Sequence, residues 1–512
     1  MPPTEVRHIL KAALTRRSSG RFVEAARLYR EALDQAPADP DTLHLLGALY
    51  GELGRSCDAI ELIERAISIR SNVARYHSDL GNVLGDLGRL TEAIASYQRA
   101  IELEPLGSMY HSNLGTVLRD SGRRAEAMAE YHRAIALDPQ SAQAHNNLGV
   151  ALTDEGRLED AVACFGRAIH LKRDYADAHT NLGIALYALG KGDEAVAACR
   201  RAVELSPSFA KAHSNLALIL LGTGNYREGW REHEWRWKCN PAFRPRSFPQ
   251  PNWDGAPLEA KTILLHAEQG FGDTIQFARY VPLLAQRGGR VILECQPALA
   301  RLFQSLPGPA TVIPSGHPLP AFDTHCSLMS LPHALREDAI PADIPHLRPS
   351  SRLVRAWEEK LVPSPGKRIG LVWAGRPTHS NDRNRSVPPE HLAVLATVPE
   401  VEWHSLQKNP PAGLAPELRI IDHSSDLNDF ADTAALIANL DLVISVDTAV
   451  AHLAGAMGKP TWLLLPFTAE WRWMLNRDDS PWYPTMRLFR QPEWGDWPGV
   501  MRRVEAALQS IP

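Results

Sequence analysis

Small and apolar residues in the first half of the chain repeat with a helical period and also on a longer beat of 34 residues. At that offset Gly47, Gly81, Gly115, Gly149 and Gly183 superpose, with Ala217 in the next copy. Twelve residues after each glycine stands Ala59, Ala93, Ala127, Ala161 or Ala195, and seven further on Ala66, Ala100, Ala134, Ala168 or Ala202. Small residues at these spacings let two antiparallel helices approach closely, and Pro37, Pro105, Pro139 and Pro207 stop the second helix of their pairs. The phase predicts six full helix pairs beginning near residues 6, 40, 74, 108, 142 and 176. A seventh begins near 210 and loses the pattern after Tyr226, where Trp230, Trp235 and Trp237 stand instead. Such an aromatic cluster fits a cap that docks the repeats onto the next domain.

After Cys239 the pattern changes. Pro241, Pro245, Pro249, Pro251 and Pro257 mark a stiff linker over 241–258. Residues 262–268 then read as an apolar strand, 270–273 as a tight turn, 274–284 as an amphipathic helix and 290–295 as the next strand, a βαβ unit. A proline-rich stretch over 341–365 precedes a second set, with strands at 368–375 and 440–447. The expected fold is an all-α repeat solenoid over 1–240 followed by two facing, doubly wound, Rossmann-like α/β halves at 259–350 and 366–512, with a cleft between them.

The 34-residue pattern resembles that of the tetratricopeptide family. In that family the sixth position faces the concave groove, and here it carries Asn113, Asn147, Asn181 and Asn215. Their amides either hold an extended peptide backbone or are simply common at that position. His77, His111, His145, His179 and His213 recur on the same beat but stand too far apart for a shared metal, so they read as packing residues.

Composition narrows the classes of partner. The 512 residues exceed one core, and 55 basic against 59 acidic side chains, spread without long runs, disfavour nucleic acid and anionic membranes. No 18-residue apolar stretch or signal-peptide order is present, which suggests no membrane span and a cytoplasmic protein. Six scattered cysteines without CxxC spacing read as buried thiols rather than disulfides or a zinc site.

Chemistry concentrates in two loops of the last domain. The helix expected after the strand at 440–447 begins with the free amides of Thr448, Ala449 and Val450, a ready phosphate site. The loop 375–386 carries Arg376, Arg383 and Arg385, which either clamp a diphosphate or form a solvated basic surface. The only Asp-x-Asp, Asp39-Pro-Asp41, lies at a repeat boundary, so no metal or other cofactor is expected. Asp273 is compatible with a general base or a helix N-cap. His266 is a competing base or a core residue, and His452 touches a diphosphate or a core partner. Glu470, Trp471, Trp473, Trp482 and Tyr483 either line the donor pocket or pack the closing helix.

The run Asp447-Thr-Ala-(x2)-His-Leu-Ala-Gly-Ala-x-Gly-x-Pro460 resembles the Asp-Ser/Thr-Gly-(x2)-His-Leu-Ala signature of the ADP-heptose:lipopolysaccharide heptosyltransferase family. Gly272-Asp273 is similar to that family's Gly-Asp turn, and Arg385-Ser-Val-Pro388 to its Lys-Arg-Trp-Pro segment. The resemblance covers roughly residues 260 to 510. As a whole the chain resembles bacterial tetratricopeptide glycosyltransferases, and its layout is similar to that of the O-linked N-acetylglucosamine protein transferases. The resemblance implies a type B, metal-independent, inverting glycosyltransferase with Asp273 as base, Arg385 at the donor phosphate and Asp447 at the donor sugar. Two departures stand out: the half before residue 365 is short for a lipid-type acceptor, and Ala449 replaces the signature glycine. The expected function is transfer from a nucleotide-sugar donor to a protein held by the solenoid, flagellin by analogy. The alternatives are a lipopolysaccharide or glycan transferase and a non-catalytic repeat adaptor.

Overall fold

The computed structural model describes residues 4–239, 245–308, 310–341, 344–379, 381–408 and 417–510; Pro241 of the linker and Ser380 of the arginine loop lie outside these. The chain divides into two compact units, Met1–Leu189 and Gly190–Pro512, so the division falls inside the sixth helix pair rather than at residue 240. Among the described residues no helix is long and apolar enough to cross a membrane.

The first unit is a stack of antiparallel helix pairs: Thr4–Ser18 with Phe22–Gln35, then Pro40–Glu52, Ala74–Asp86, Ser108–Asp120 and Ala142–Asp154, each followed by a 14-residue partner, and finally Ala176–Ala188. The periodic glycines explain the close packing. A Cβ on Gly81, Gly115 or Gly149 would stand 2.9, 2.8 or 2.6 Å from the ring of Tyr97, Tyr131 or Phe165, sixteen residues on. Ala93, Ala127 and Ala161 fill the same seam and are fully buried.

The histidines form hydrogen bonds that close the inter-repeat turns. The Nε2 atoms of His77, His111, His145 and His179 lie 2.9, 3.2, 3.2 and 3.4 Å from the carbonyls of Ser71, Pro105, Pro139 and Arg173, always six residues back. In the second unit His213 does the same to Pro207 at 3.0 Å. The asparagines are partly engaged with the preceding repeat: Asn113 donates to Asn82 (3.4 Å), Asn147 to Ser112 (3.2 Å) and Asn181 to Asn146 (3.0 Å). Asn215, in the second unit, is half-buried.

The second unit opens with helices Gly192–Leu205, Ala210–Gly222 and a shortened Tyr226–His233. Trp230 is 2% exposed and meets Phe277, Trp471 and Trp482 edge-on, at centroid distances of 5.7, 5.5 and 6.3 Å. Trp235 stacks flat on His213 at 3.8 Å. The proline segment is no free linker, since the Trp253 N–H donates to the His325 carbonyl at 2.7 Å.

Two parallel sheets follow. The first contains β1 (Thr262–His266), β2 (Arg290–Cys295), β3 (Ala310–Pro314) and β4 (Thr324–Ser327) in the order β3-β2-β1-β4. The second contains β5 (Lys367–Val372), β6 (Val401–Ser405), β7 (Ile420–Asp422), β8 (Leu442–Val446), β9 (Thr461–Leu465) and β10 (Met486–Arg490), ordered β10-β9-β8-β5-β6-β7. Each order reverses direction beside its first strand, between β1 and β4 and between β5 and β8, which opens a crevice at the carboxyl edge there. The first half is short because helices wind one face only: Leu264, Ile292 and Ile313 on the other face are covered by Phe248, Leu319 and Phe322 from loops.

Three local expectations need correction. Residues 271–273 are not a turn but the first turn of helix Phe271–Phe277, because the Asp273 carboxylate accepts the Gly270 N–H and starts the helix early. The proline-rich stretch contains helix Ser351–Lys360, which buries Trp357 edge-on against His423. Cys57 and Cys239 are exposed rather than buried.

The aromatic junction makes a truncation test. A chain of residues 190–512 should unfold cooperatively in urea, followed by circular dichroism. A chain starting at 241 strips the indole from Phe277, Trp471 and Trp482 and should not, and Trp230→Ala in the full chain should cost about 3–5 kcal/mol. Equal stability of the two fragments would refute the dependence.

Candidate active site

Helix Phe271–Phe277 leaves the carboxyl end of β1, and helix Ala449–Ala456 leaves the carboxyl end of β8. The two helix starts touch. A Cβ on Gly272 would lie 2.8 Å from the His452 ring and 3.6 Å from the Cα of Ala449, so a side chain at 272 would push the halves apart. Asp273 and Asp447, each just beyond its strand at the reversal point of its sheet, are thereby drawn to one cleft.

Asp273 is the third residue of its helix rather than the N-cap: Oδ2 accepts the N–H of the N-cap Gly270 at 2.9 Å, and Oδ1 accepts from Arg472 Nη2 at 2.5 Å. Each oxygen keeps a further lone pair for a substrate proton. On the opposite wall Thr448 is the N-cap of its helix, yet its hydroxyl pairs with Ser445 at 3.1 Å and no side chain caps the first turn. Those amides stay available to an anion.

The turn at 470–473, after β9, fastens both aspartates. Arg472 is 7% exposed; besides Asp273 it bonds Glu470 and Gln276, and its guanidinium lies 4.3 Å from the Trp471 ring centre. The next residue, Trp473, donates its indole N–H to Asp447 Oδ2 at 2.9 Å. Burial raises the Asp447 carboxyl above its ordinary range. Glu470 keeps 37% of its side chain open to the cleft, but it is ringed by protein and by the carboxylates of Asp447 and Asp273; this partial desolvation pushes it up to about 7.

His452 is a core partner. It is 6% exposed, Nδ1 stands 2.9 Å from the Tyr483 hydroxyl, and burial next to Arg472 and Arg279 holds its pKa well below the usual value, so a neutral ring backs Asp447 with Nε2 3.8 Å from Oδ1. Of the three loop arginines, Arg385 bonds the Asp447 carbonyl at 3.2 Å and Asp382 at 3.2 Å. Arg376 and Arg383 are exposed, and Arg383 borders a cavity of about 100 Å³ with Phe467, Gln491 and Trp494. His266 is no competitor for Asp273. It lies on the loop-covered face of β1, near Phe248 and His325, with both ring nitrogens unpartnered and its pKa lowered by burial to about 3. Trp471, Trp473, Trp482 and Tyr483 are buried and pack the core, leaving Glu470 as the member of that set open to the cleft.

Arg472 escaped the sequence reading, because an arginine between two tryptophans signals packing and its partner stands 199 positions away. A cavity of about 810 Å³ lies elsewhere, between residues 225–234 and 330–337. Its wall includes Trp230, which also packs on Trp471.

Comparison with known proteins agrees with both halves of this description. Residues 16–83, 74–106, 115–156, 151–190 and 176–209 match tetratricopeptide repeat families. Residues 425–487 match glycosyltransferase family 9 (heptosyltransferase), a segment that holds Asp447, His452 and the 470–473 turn but neither Asp273 nor Arg385. The chain is 30% identical over 326 residues to Protein FlbA of Caulobacter vibrioides, covering 57% of this chain and 54% of that protein, so it spans about half the length of that relative. Among solved structures, MamA is 27% identical over 32% of this chain and 96% of its own, with a TM-score of 0.29. The Cut9–Hcn1 assembly is 19% identical over 45% of each chain, with a TM-score of 0.41. The chain therefore carries tetratricopeptide repeats and, C-terminal to them, a glycosyltransferase family 9 (heptosyltransferase) domain.

Proposed function

We propose that the chain is an inverting, metal-independent glycosyltransferase that moves a sugar from a nucleotide-sugar donor to a hydroxyl of a protein held by the repeats. The observation that carries this reading is the pairing of Asp273 and Asp447 across one cleft, each at the reversal point of its own sheet. In the reaction the acceptor hydroxyl gives its proton to Asp273, its oxygen forms the new bond to the anomeric carbon, and the bond from that carbon to the diphosphate breaks on the opposite face. The electron pair leaves with the diphosphate. Arg385 and the first-turn amides after Thr448 face the growing negative charge, where fixed cations and dipoles contribute most. Asp447 holds the donor sugar. The Asn113, Asn147, Asn181 and Asn215 amides, each with one donor spent on a neighbour at most, retain hydrogen-bonding capacity for a peptide backbone. Flagellin is the first protein acceptor to test.

Intact-mass comparison of the proteome with and without this protein should show a loss of sugar mass from a protein. A loss confined to lipopolysaccharide or another glycan would move the acceptor there. Asp273→Asn should lower turnover by about 10²–10⁴-fold with little change in donor KM, and Arg385→Ala should weaken donor use. If both variants leave the glycoprotein pattern intact, the chain is an adaptor.

Glu470 gives a check on the cleft that needs no substrate. Its folded pKa is raised, so its contribution to stability is full below the ordinary carboxyl range and is lost as pH rises toward 7. The stability difference between wild type and Glu470→Gln, from urea midpoints, should shift against the wild type between pH 5 and pH 8. A constant difference would mean that Glu470 titrates normally.

A further inference from the structure

Resting on the reading of Asp273 as the base, we infer that Arg472 is the residue that positions it, holding the proton-accepting group of one half from the other half of the transferase. Arg472 follows β9 of the second sheet, whereas Asp273 and Gln276 belong to the helix after β1 of the first. The guanidinium uses all three of its nitrogens: Nη2 on Asp273, Nη1 on Glu470 and Nε on Gln276. Its plane is packed against Trp471 and its backbone N–H is held by Glu470 at 3.0 Å. With the Gly270 N–H on the other oxygen, the Asp273 carboxylate is fixed at both ends, so its remaining lone pairs point in set directions. Fixing a reacting group in this way removes orientational freedom before the reaction starts.

The arrangement is specific to arginine. A buried guanidinium with one partner loses more in desolvation than it gains, whereas a fork satisfied on three sides does not. A lysine in the same place supplies the charge but reaches fewer partners. The groups facing the Arg472–Asp273 pair are Glu470 on its own turn, Asp447 after β8, His452 on the following helix, Arg279, Tyr483, His233 of the last repeat helix and His379 of the arginine loop. Removing the cation leaves Asp273, Glu470 and Asp447 as mutually repelling carboxylates, each easier to protonate.

The test uses the full chain and the nucleotide sugar that the wild type turns over, with kcat, donor KM and the pH profile of kcat measured for Arg472→Met, Arg472→Lys and Asp273→Asn. For Arg472→Met we expect kcat to fall by about 100-fold, donor KM to stay within about threefold and the acid limb of kcat to move about one unit toward higher pH. For Arg472→Lys we expect a fall of about tenfold in kcat with the acid limb unmoved. If Arg472→Met keeps wild-type kcat and acid limb while Asp273→Asn abolishes turnover, Arg472 is structural and the inference is overturned, though the base assignment stands. If Asp273→Asn turns over normally, the base assignment itself falls. Should Arg472→Met fail to fold, Arg472→Lys decides alone: wild-type kcat overturns the inference, and reduced kcat with an unmoved limb supports it.

Discussion

The second unit depends on the burial of one indole. Trp230 comes from the last repeat helix, Phe277 from the first Rossmann-like half, and Trp471 and Trp482 from the second. Each edge-on contact adds about 0.5–1.5 kcal/mol beyond the area it buries. The geometric effect matters more than the energy, because the neighbour of Trp471 is Arg472 and the last residue of the helix carrying Asp273 is Phe277. The packing that ties the last repeat to the two sheets is thus one residue removed from Arg472 and one helical turn removed from Asp273.

The cleft itself is held by opposite demands. Gly272 brings the two helix starts into contact, which crowds Asp273, Asp447 and Glu470, while Arg472 supplies the charge that lets them coexist. Burial, with a smaller push from the neighbouring carboxylates, makes Glu470 and Asp447 hold protons more tightly than usual. The proposed transfer asks the site to accept a proton and to tolerate a diphosphate, which calls for both negative and positive groups around it. Here Arg385 is bonded to the Asp447 carbonyl and Arg472 stands among the neighbouring carboxylates.

How much of this was readable in the sequence follows from the range of the interactions involved. The helix pairs were legible because Gly and Ala recur wherever helices cross, and that demand repeats every 34 residues. The placement of Asp273 and Asp447 at helix starts was legible because each belongs to a local pattern, a strand followed by a helix start. Arg472 was not, since nothing within its own turn requires an arginine and its need arises only when the two halves meet. The core role of His452 was hidden for the same reason, because its partner Tyr483 lies 31 positions on. The extra turn before Thr274 was misread because glycines at 270 and 272 signal a bend, while the carboxylate that overrides them acts through a single backbone N–H. The one-sided winding of the first sheet was hidden because the covering residues, Phe248, Leu319 and Phe322, sit in segments without periodicity.

The histidine bonds to the carbonyl six residues back have an evolutionary consequence. Each bond joins a histidine near the start of one copy to a carbonyl at the end of the copy before it, so a copy with both partners carries half of the fastener at each of its ends. Gene duplication or loss of whole copies leaves every joint closed, whereas an insertion or deletion inside a joint moves the ring off its carbonyl. The length of the repeat array is thus free to drift in steps of one copy among related proteins, and the domain that follows, anchored through Trp230, need not change with it.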